Sequence, residues 1–243
     1  MFLGHFGVAF GMKRVEPKLS LGTLFLATVL VDLAWGVLLL TGWERASIVP
    51  GLTAVTPIEF VSYPITHSLV AAVLWGALSA IVVYSWPTRD TSKHHWLKAL
   101  VVALVVASHW FLDLVVHIAD LPLSGDDSHK VGFGLWRSIP GTIAVELLVF
   151  AAGLLVYFRW RSRGSSGITW RVAVLAGLLV ALFFASIFGP PPPSITTVAV
   201  LDIIGTIALA LLAVWADRPL PNRARAGGES GENKHPPYGT RKK

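Results

Sequence analysis

The sequence predicts an all-α polytopic membrane bundle of about six transmembrane helices plus a short N-terminal helix, and three observations carry that prediction. Charge is scarce: 14% of the 243 residues are Asp, Glu, Lys or Arg and 54% are hydrophobic, where a soluble domain usually carries about a quarter charged. The apolar residues also fall in long blocks, raising the mean hydropathy to +0.65, which marks membrane spans in preference to a large soluble core. The basic residues, finally, alternate between loops as they do in a multi-pass chain.

Residues 1–12 are apolar but too short to cross a bilayer alone. Gly4, Gly7 and Gly11 lie near one helical face there, which suits close packing against the bundle. Lys13 and Arg14 follow this stretch instead of preceding it, so it does not read as a cleavable signal peptide. A hydrocarbon core of about 30 Å takes roughly 20 helical residues. Six stretches fit: Leu19–Thr41, Pro64–Trp86, Trp96–Ala119, Ser138–Trp160, Trp170–Phe188 and Ser194–Ala216. Trp43, Trp86, Trp96, Trp136, Trp160, Trp170 and Trp215 stand at or near span ends, as interfacial aromatics do. Residues 1–216 thus form one membrane bundle. Residues 217–243 are Pro/Gly-rich and charged, and read as a disordered basic tail able to touch anionic lipid.

Lys and Arg number three in residues 12–18, three in 87–98, four in 159–171 and seven from 217 onward, leaving only Arg45, Lys130 and Arg137 in the intervening segments. The positive-inside rule makes the rich side cytoplasmic, in the inner (plasma) membrane of the cell, with the C-terminus on that side. This placement accounts for the net charge of +6 without nucleic acid as a partner. Cysteine is absent, which excludes disulfides, thiolate ligands and catalytic thiols. No oligomeric state is legible.

Ionisable residues inside spans are costly, about 2.5–3.5 kcal/mol for Asp near a helix centre. This chain places Asp32 in the first span, His67 in the second, His109, Asp113 and His117 in the third, Glu146 in the fourth and Asp202 in the sixth. No Lys or Arg lies mid-span to neutralise them, which argues for a bound cation, shared protons, or both. With alternating spans nearly all of them fall in outer halves, and His5 joins them if its helix runs outside to inside. The set reads as one site open to the extracytoplasmic side.

The third span has the sharpest spacing. His109 and Asp113 are four apart, on one helix face and about 6 Å apart along the axis, so both can reach one ion. His117 lies about 12 Å from His109 along the axis. Either Asp113 stands between two ions, or His117 supports a ligand instead of binding an ion itself. Imidazole plus carboxylate without sulfur suits Zn²⁺, Mn²⁺ or Fe²⁺. Ser68 and Ser108 each precede a His, but adjacent helical positions point in different directions, which argues against a Ser–His dyad.

Gly4-His5, Asp32, Thr66-His67-Ser68 and Ser108-His109-x-x-x-Asp113-x-x-x-His117 together resemble the YdjM-like family of bacterial membrane-bound metal-dependent hydrolases. Gly134-Leu135-Trp136 followed by Glu146 also looks like a feature of its relatives. The resemblance covers residues 1–160, the site-bearing part; the last two spans contribute nothing to it. The ligand order is similar to that of the zinc-dependent phospholipase C and single-strand nuclease superfamily, in which such residues hold a zinc cluster that cleaves phosphoesters. What the resemblance implies is that His5, Asp32, His67, His109, Asp113 and Glu146 are metal ligands, with His117 a further one and Zn²⁺ the first choice of ion. The chain departs from the family where Ser62-Tyr63-Pro64-Ile65 replaces His-Arg-Gly, and where a lone Asp32 replaces paired aspartates.

The function expected first is metal-dependent hydrolysis of a phosphoester or other ester near the outer leaflet, on a membrane lipid or lipid-linked substrate. Asp32 or Glu146 would serve as general base. Two other classes use the same residue types: an ion-coupled or metal transporter, and a non-catalytic scaffold with a structural metal. A continuing polar path would favour the transporter, and a closed four-ligand site the scaffold.

Overall fold

Inside a bilayer every backbone amide and carbonyl needs a partner within the protein, and helices supply it locally. The computed structural model is accordingly a helical membrane bundle, and it describes residues 1–86, 95–162 and 170–218. The tail from residue 219, expected to be disordered, lies outside the described residues. In chain order the elements are α1 (Leu3–Val15), α2 (Leu21–Thr28), α3 (Leu30–Thr41), β1 (Arg45–Ile48), β2 (Ile58–Ser62), α4 (Pro64–His67), α5 (Leu69–Ser85), α6 (His95–Val116), β3 (Leu121–Pro122), β4 (Lys130–Val131), α7 (Ile139–Ser162), α8 (Trp170–Phe188) and α9 (Ile195–Asp217).

Among the described residues, α6, α7, α8 and α9 are long and apolar enough to cross a membrane, and α2 with α3 makes a fifth span if the bent pair is counted as one. The remaining expected span is the 17-residue α5, at the lower limit of roughly 17–25 residues for a crossing. Two of the expected continuous spans are therefore broken. Leu19–Thr41 breaks at Val29, where φ −122° and ψ 21° leave the helical region, and its halves are bent by 51°. Pro64–Trp86 breaks at Ser68, which is extended at φ −78° and ψ 157°. Ser68 caps the new helix by accepting from the Ala71 amide at 3.0 Å, just as Ser20 caps α2 and Ser194 caps α9, each offsetting a free amide of the first turn.

The N-terminal helix is buried, as its glycine face suggests. α1 packs along α7, and the backbones meet so closely that a Cβ on Gly153 would overlap the Gly7 carbonyl. Phe6, Phe10, Phe25, Val105, Val106 and Leu179 are each at most 2% exposed and belong to one apolar cluster in the middle of the bundle. At one end of that cluster lie the two small antiparallel hairpins, β1–β2 and β3–β4, which the apolar pattern does not foretell. They and the 3₁₀ turn Leu135–Arg137 cover the polar set.

Candidate metal centre

Both helix breaks sit beside site residues, and each serves one. A continuous helix would commit the Thr28 carbonyl to its own ladder. The bend frees it, and it accepts from His109 Nδ1 at 2.8 Å. The same bend puts Asp32 in the first turn of α3, where the helix dipole favours a carboxylate. The second break leaves His67 as the last residue of α4. Irregular backbone of this kind is tolerated at membrane depth where it is buried in protein or lines a cavity.

The ring orientations follow from what holds each Nδ1. A carbonyl oxygen can only accept, so His109 Nδ1 carries its proton and Nε2 faces the carboxylates. His67 Nδ1 lies 2.7 Å from the Thr66 hydroxyl, whose own proton goes to Glu44 Oε2 at 2.7 Å. The Thr66 oxygen therefore accepts from His67 Nδ1. His117 Nδ1 donates to Asp120 Oδ1 at 3.0 Å. Three imidazoles are thus fixed by an oxygen behind each ring, the arrangement in which metal-binding histidines are usually held.

Their Nε2 atoms converge on two carboxylates. His109 Nε2 lies 3.0 Å from Asp113 Oδ2 and 3.3 Å from Asp32 Oδ1. His67 Nε2 lies 3.2 Å from Asp32 Oδ1 and 3.9 Å from Asp113 Oδ2. His117 Nε2 lies 3.8 Å from Asp113 Oδ2. The axial separation of His109 and His117 is bridged because both rings lean toward Asp113 from opposite turns. His5 stacks on His109 at 3.9 Å between ring centroids and reaches Asp113 Oδ1 with Nε2 at 3.2 Å. The Met1 amino group pairs with the same Asp113 oxygen.

Among the described residues, two groups of three ligand atoms are close enough to hold a metal ion: His5, His109 and Asp113, and Asp32, His67 and His109. The residues fit such an ion on a further count. His109 Nε2 is buried, yet it makes no hydrogen bond of good geometry despite two carboxylate oxygens within 3.3 Å. A cation between them would satisfy all three atoms, and the nitrogen/oxygen donor set without sulfur suits Zn²⁺ as well as Mn²⁺ or Fe²⁺. No protein-family model, curated protein or solved structure matches this chain.

Glu146 is the expected site residue that the structure places elsewhere. Its two oxygens accept from the Phe2 amide at 2.8 Å and the Gly4 amide at 2.9 Å, so it holds the N-terminal end of α1 and is in neither three-ligand group. Asp32, the other residue expected as general base, is contacted at Oδ1 by both His67 and His109. The carboxylate left without such partners is Asp202 in α9, whose Oδ2 is buried and has no hydrogen-bond partner. Asp202 lines a cavity of about 210 Å³ together with Asp32, His67, Asp113 and His117.

Sequence reasoning passed over Glu44 and Phe60, behind and above the ligands, while the Gly134-Leu135-Trp136 run it noted turns out to cover His117. Glu44, 1% exposed, accepts from the Ile65 and Thr66 amides as well as the Thr66 hydroxyl. Burial pushes its carboxyl up from its ordinary value, against the downward pull of those hydrogen bonds. Gly134 takes a left-handed φ of 74°, open to glycine at little cost, and so turns Trp136 onto His117 at 4.2 Å between centroids. Phe60 from β2 covers the other side of His117 at 4.8 Å. Neither serine forms a dyad: Ser68 is a cap, and Ser108 donates to the Val105 carbonyl at 2.7 Å.

Proposed function

We propose that this chain is a membrane-embedded metal-dependent hydrolase acting on a phosphoester or other ester at the extracytoplasmic face of the inner (plasma) membrane. The observation that carries the reading is the convergence of three Nδ1-anchored histidines on Asp32 and Asp113 with no Lys or Arg among them. Zn²⁺ is the first choice of ion, with His5, His67, His109, Asp32 and Asp113 holding it and His117 beside Asp113. A divalent ion there would supply Lewis acidity to the ester and to a water nucleophile.

The chain's own residues do the rest. Asp202 Oδ2 takes a proton as water oxygen bonds to phosphorus, and the ester P–O bond breaks as Asp202 returns that proton to the departing alcohol oxygen. Trp35, Phe60 and Trp136 line the cavity and exclude bulk water, which strengthens each electrostatic contact inside it. The resemblance to the YdjM-like family supports the same reading. So does the closed apolar cluster of Phe6, Phe10 and Phe25 below the site, since a transporter needs a polar path to continue through it. Lys13, Arg159 and Arg161 lie at the far end, at the C-terminal ends of α1 and α7. By the positive-inside rule that end is cytoplasmic.

The test is elemental analysis of detergent-purified protein, wild type beside His109→Ala/Asp113→Ala, followed by a phosphoester hydrolysis screen of both. Near-stoichiometric Zn, Mn or Fe in the wild type and none in the variant is expected, with hydrolysis confined to the loaded protein. Absence of metal from both after reconstitution with those ions sinks the reading.

A further inference from the structure

The polar cavity has a larger neighbour of about 520 Å³, and Met1, Thr56, Ile58 and Trp136 line both. That volume falls inside the range of about 300–1,000 Å³ common for small-molecule sites. Its walls include Phe183, Ile187, Val198, Leu201 and the proline run 190–193. Three of the polar side chains on them already have hydrogen-bond partners. Glu146 is bonded to the Phe2 and Gly4 amides, Thr142 donates to the Leu135 carbonyl, and Ser186 donates to the Phe183 carbonyl. A polar occupant would find few partners here, whereas a hydrocarbon would lose nothing.

The cavity also has a side door. α7 packs on α1, and α8 packs on α9 and touches α1, so α7 and α8 hardly meet. Residues from both line the cavity: Thr142 and Glu146 of α7, and Phe183, Ala185, Ser186 and Ile187 of α8. All three of α7, α8 and α9 are spans by length and composition, so a gap between them faces lipid. Leu201 of α9, also in the wall, is 62% exposed.

We propose that this cavity holds one hydrocarbon chain of a membrane phospholipid, which enters laterally between α7 and α8 and sets its phosphoester head in the His/Asp cavity. The fate of the head rests on the hydrolase reading; the chain site stands on its own walls. It makes the substrate an amphiphile, selected by its tail as well as its head.

The probe is phosphatidylglycerol with a photoreactive diazirine near the end of one acyl chain, in vesicles holding the full reconstituted chain. After photolysis and proteolysis, label should concentrate on peptides covering 183–187 and 198–201, above the level on exposed Val73 and Leu78 of α5. Ser186→Trp should cut that label by about tenfold, since losing the burial of only two methylenes is enough for such a change. Ala185→Leu, a milder filling, should cut it less while leaving the fold intact. Label spread evenly over lipid-facing residues, or unchanged in both variants, overturns the proposal. Chelation by EDTA and His109→Ala separate the two readings. Enriched label in metal-free protein that never hydrolyses any ester leaves the chain site standing and the hydrolase reading fallen. Even label with metal-dependent hydrolysis intact does the reverse.

Discussion

At the end of the bundle where α1 and α9 finish, Lys13 buries its ammonium with all three donors used. It gives them to the Pro17 carbonyl at 3.1 Å, the Leu19 carbonyl at 2.6 Å and Asp217 Oδ2 at 2.7 Å. Asp217 in turn accepts from the Leu21 amide and pairs with Arg161 at 3.4 Å. At the other end, Asp32, Asp113 and Asp202 gather with four histidines; among the described residues no Lys or Arg joins them, and the one cation there is the Met1 amino group on Asp113. His109 Nε2 and Asp202 Oδ2 are left without a hydrogen bond. One region is a closed network of opposite charges, such as a membrane protein needs to hold a helix end in place. The other keeps donor atoms facing one another across a cavity, which is a stable arrangement only if a cation or protons complete it. Burial of charge is common to both; buried donor atoms left without a hydrogen-bond partner are what separate the site from the structural cluster.

That contrast is broken or sharpened by paired substitutions. Asp113→Ala should abolish metal uptake and hydrolysis altogether while leaving the purified protein folded, because Asp113 is the carboxylate on which His5, His67, His109 and His117 converge. Asp217→Leu should do the opposite. Removing one partner of a buried pair costs about 3–5 kcal/mol, read as a fall in the thermal unfolding midpoint, while metal content per folded molecule stays at the wild-type level. A folded Asp113→Ala protein that still binds stoichiometric metal would dissolve the distinction.

Asp202→Asn is the next in size. Loss of a positioned acid–base group costs about 10²–10⁴ in rate, so turnover should fall by that factor with metal stoichiometry unchanged. Metal lost together with turnover would make Asp202 a ligand, not a base.

The residues that announced themselves were those with local or compositional signals. Apolar blocks marked the spans, the i, i+4 spacing joined His109 to Asp113, and Gly7 anticipated the close packing of α1 on α7. The rest depends on contacts distant in sequence. Glu146 looks like a ligand until the Phe2 and Gly4 amides, more than 140 residues away, are seen to occupy both its oxygens. The break at Val29 has neither Pro nor Gly to announce it, and its purpose is a carbonyl turned toward a histidine 81 residues on. Asp202 was visible as an intramembrane carboxylate, but the span that carries it lies outside the family resemblance. Glu44 sits past the end of an apolar block, where an exposed acid is the ordinary expectation, and only the fold turns it inward.

The smallest expected effect concerns that inward turn. Thr66 passes a hydrogen bond from His67 to Glu44, so Thr66→Val removes the acceptor behind His67 while keeping the side-chain shape. Loss of such a supporting partner typically costs 10–100-fold in metal affinity or activity, and His67 should lose its fixed orientation, not its place. Glu44→Gln should cost less, since an amide oxygen still accepts from Thr66. Its pH dependence is the sharper readout. Burial holds the Glu44 carboxyl above its ordinary value, so acidification protonates it earlier than a free glutamate and weakens the hold on Thr66. Metal affinity measured by titration across the acid range should therefore fall at a higher pH in wild type than in Glu44→Gln, where no proton is taken up at this position. Identical acid limbs in the two proteins would mean that the Glu44–Thr66 pair only shapes the loop and has no bearing on the ion.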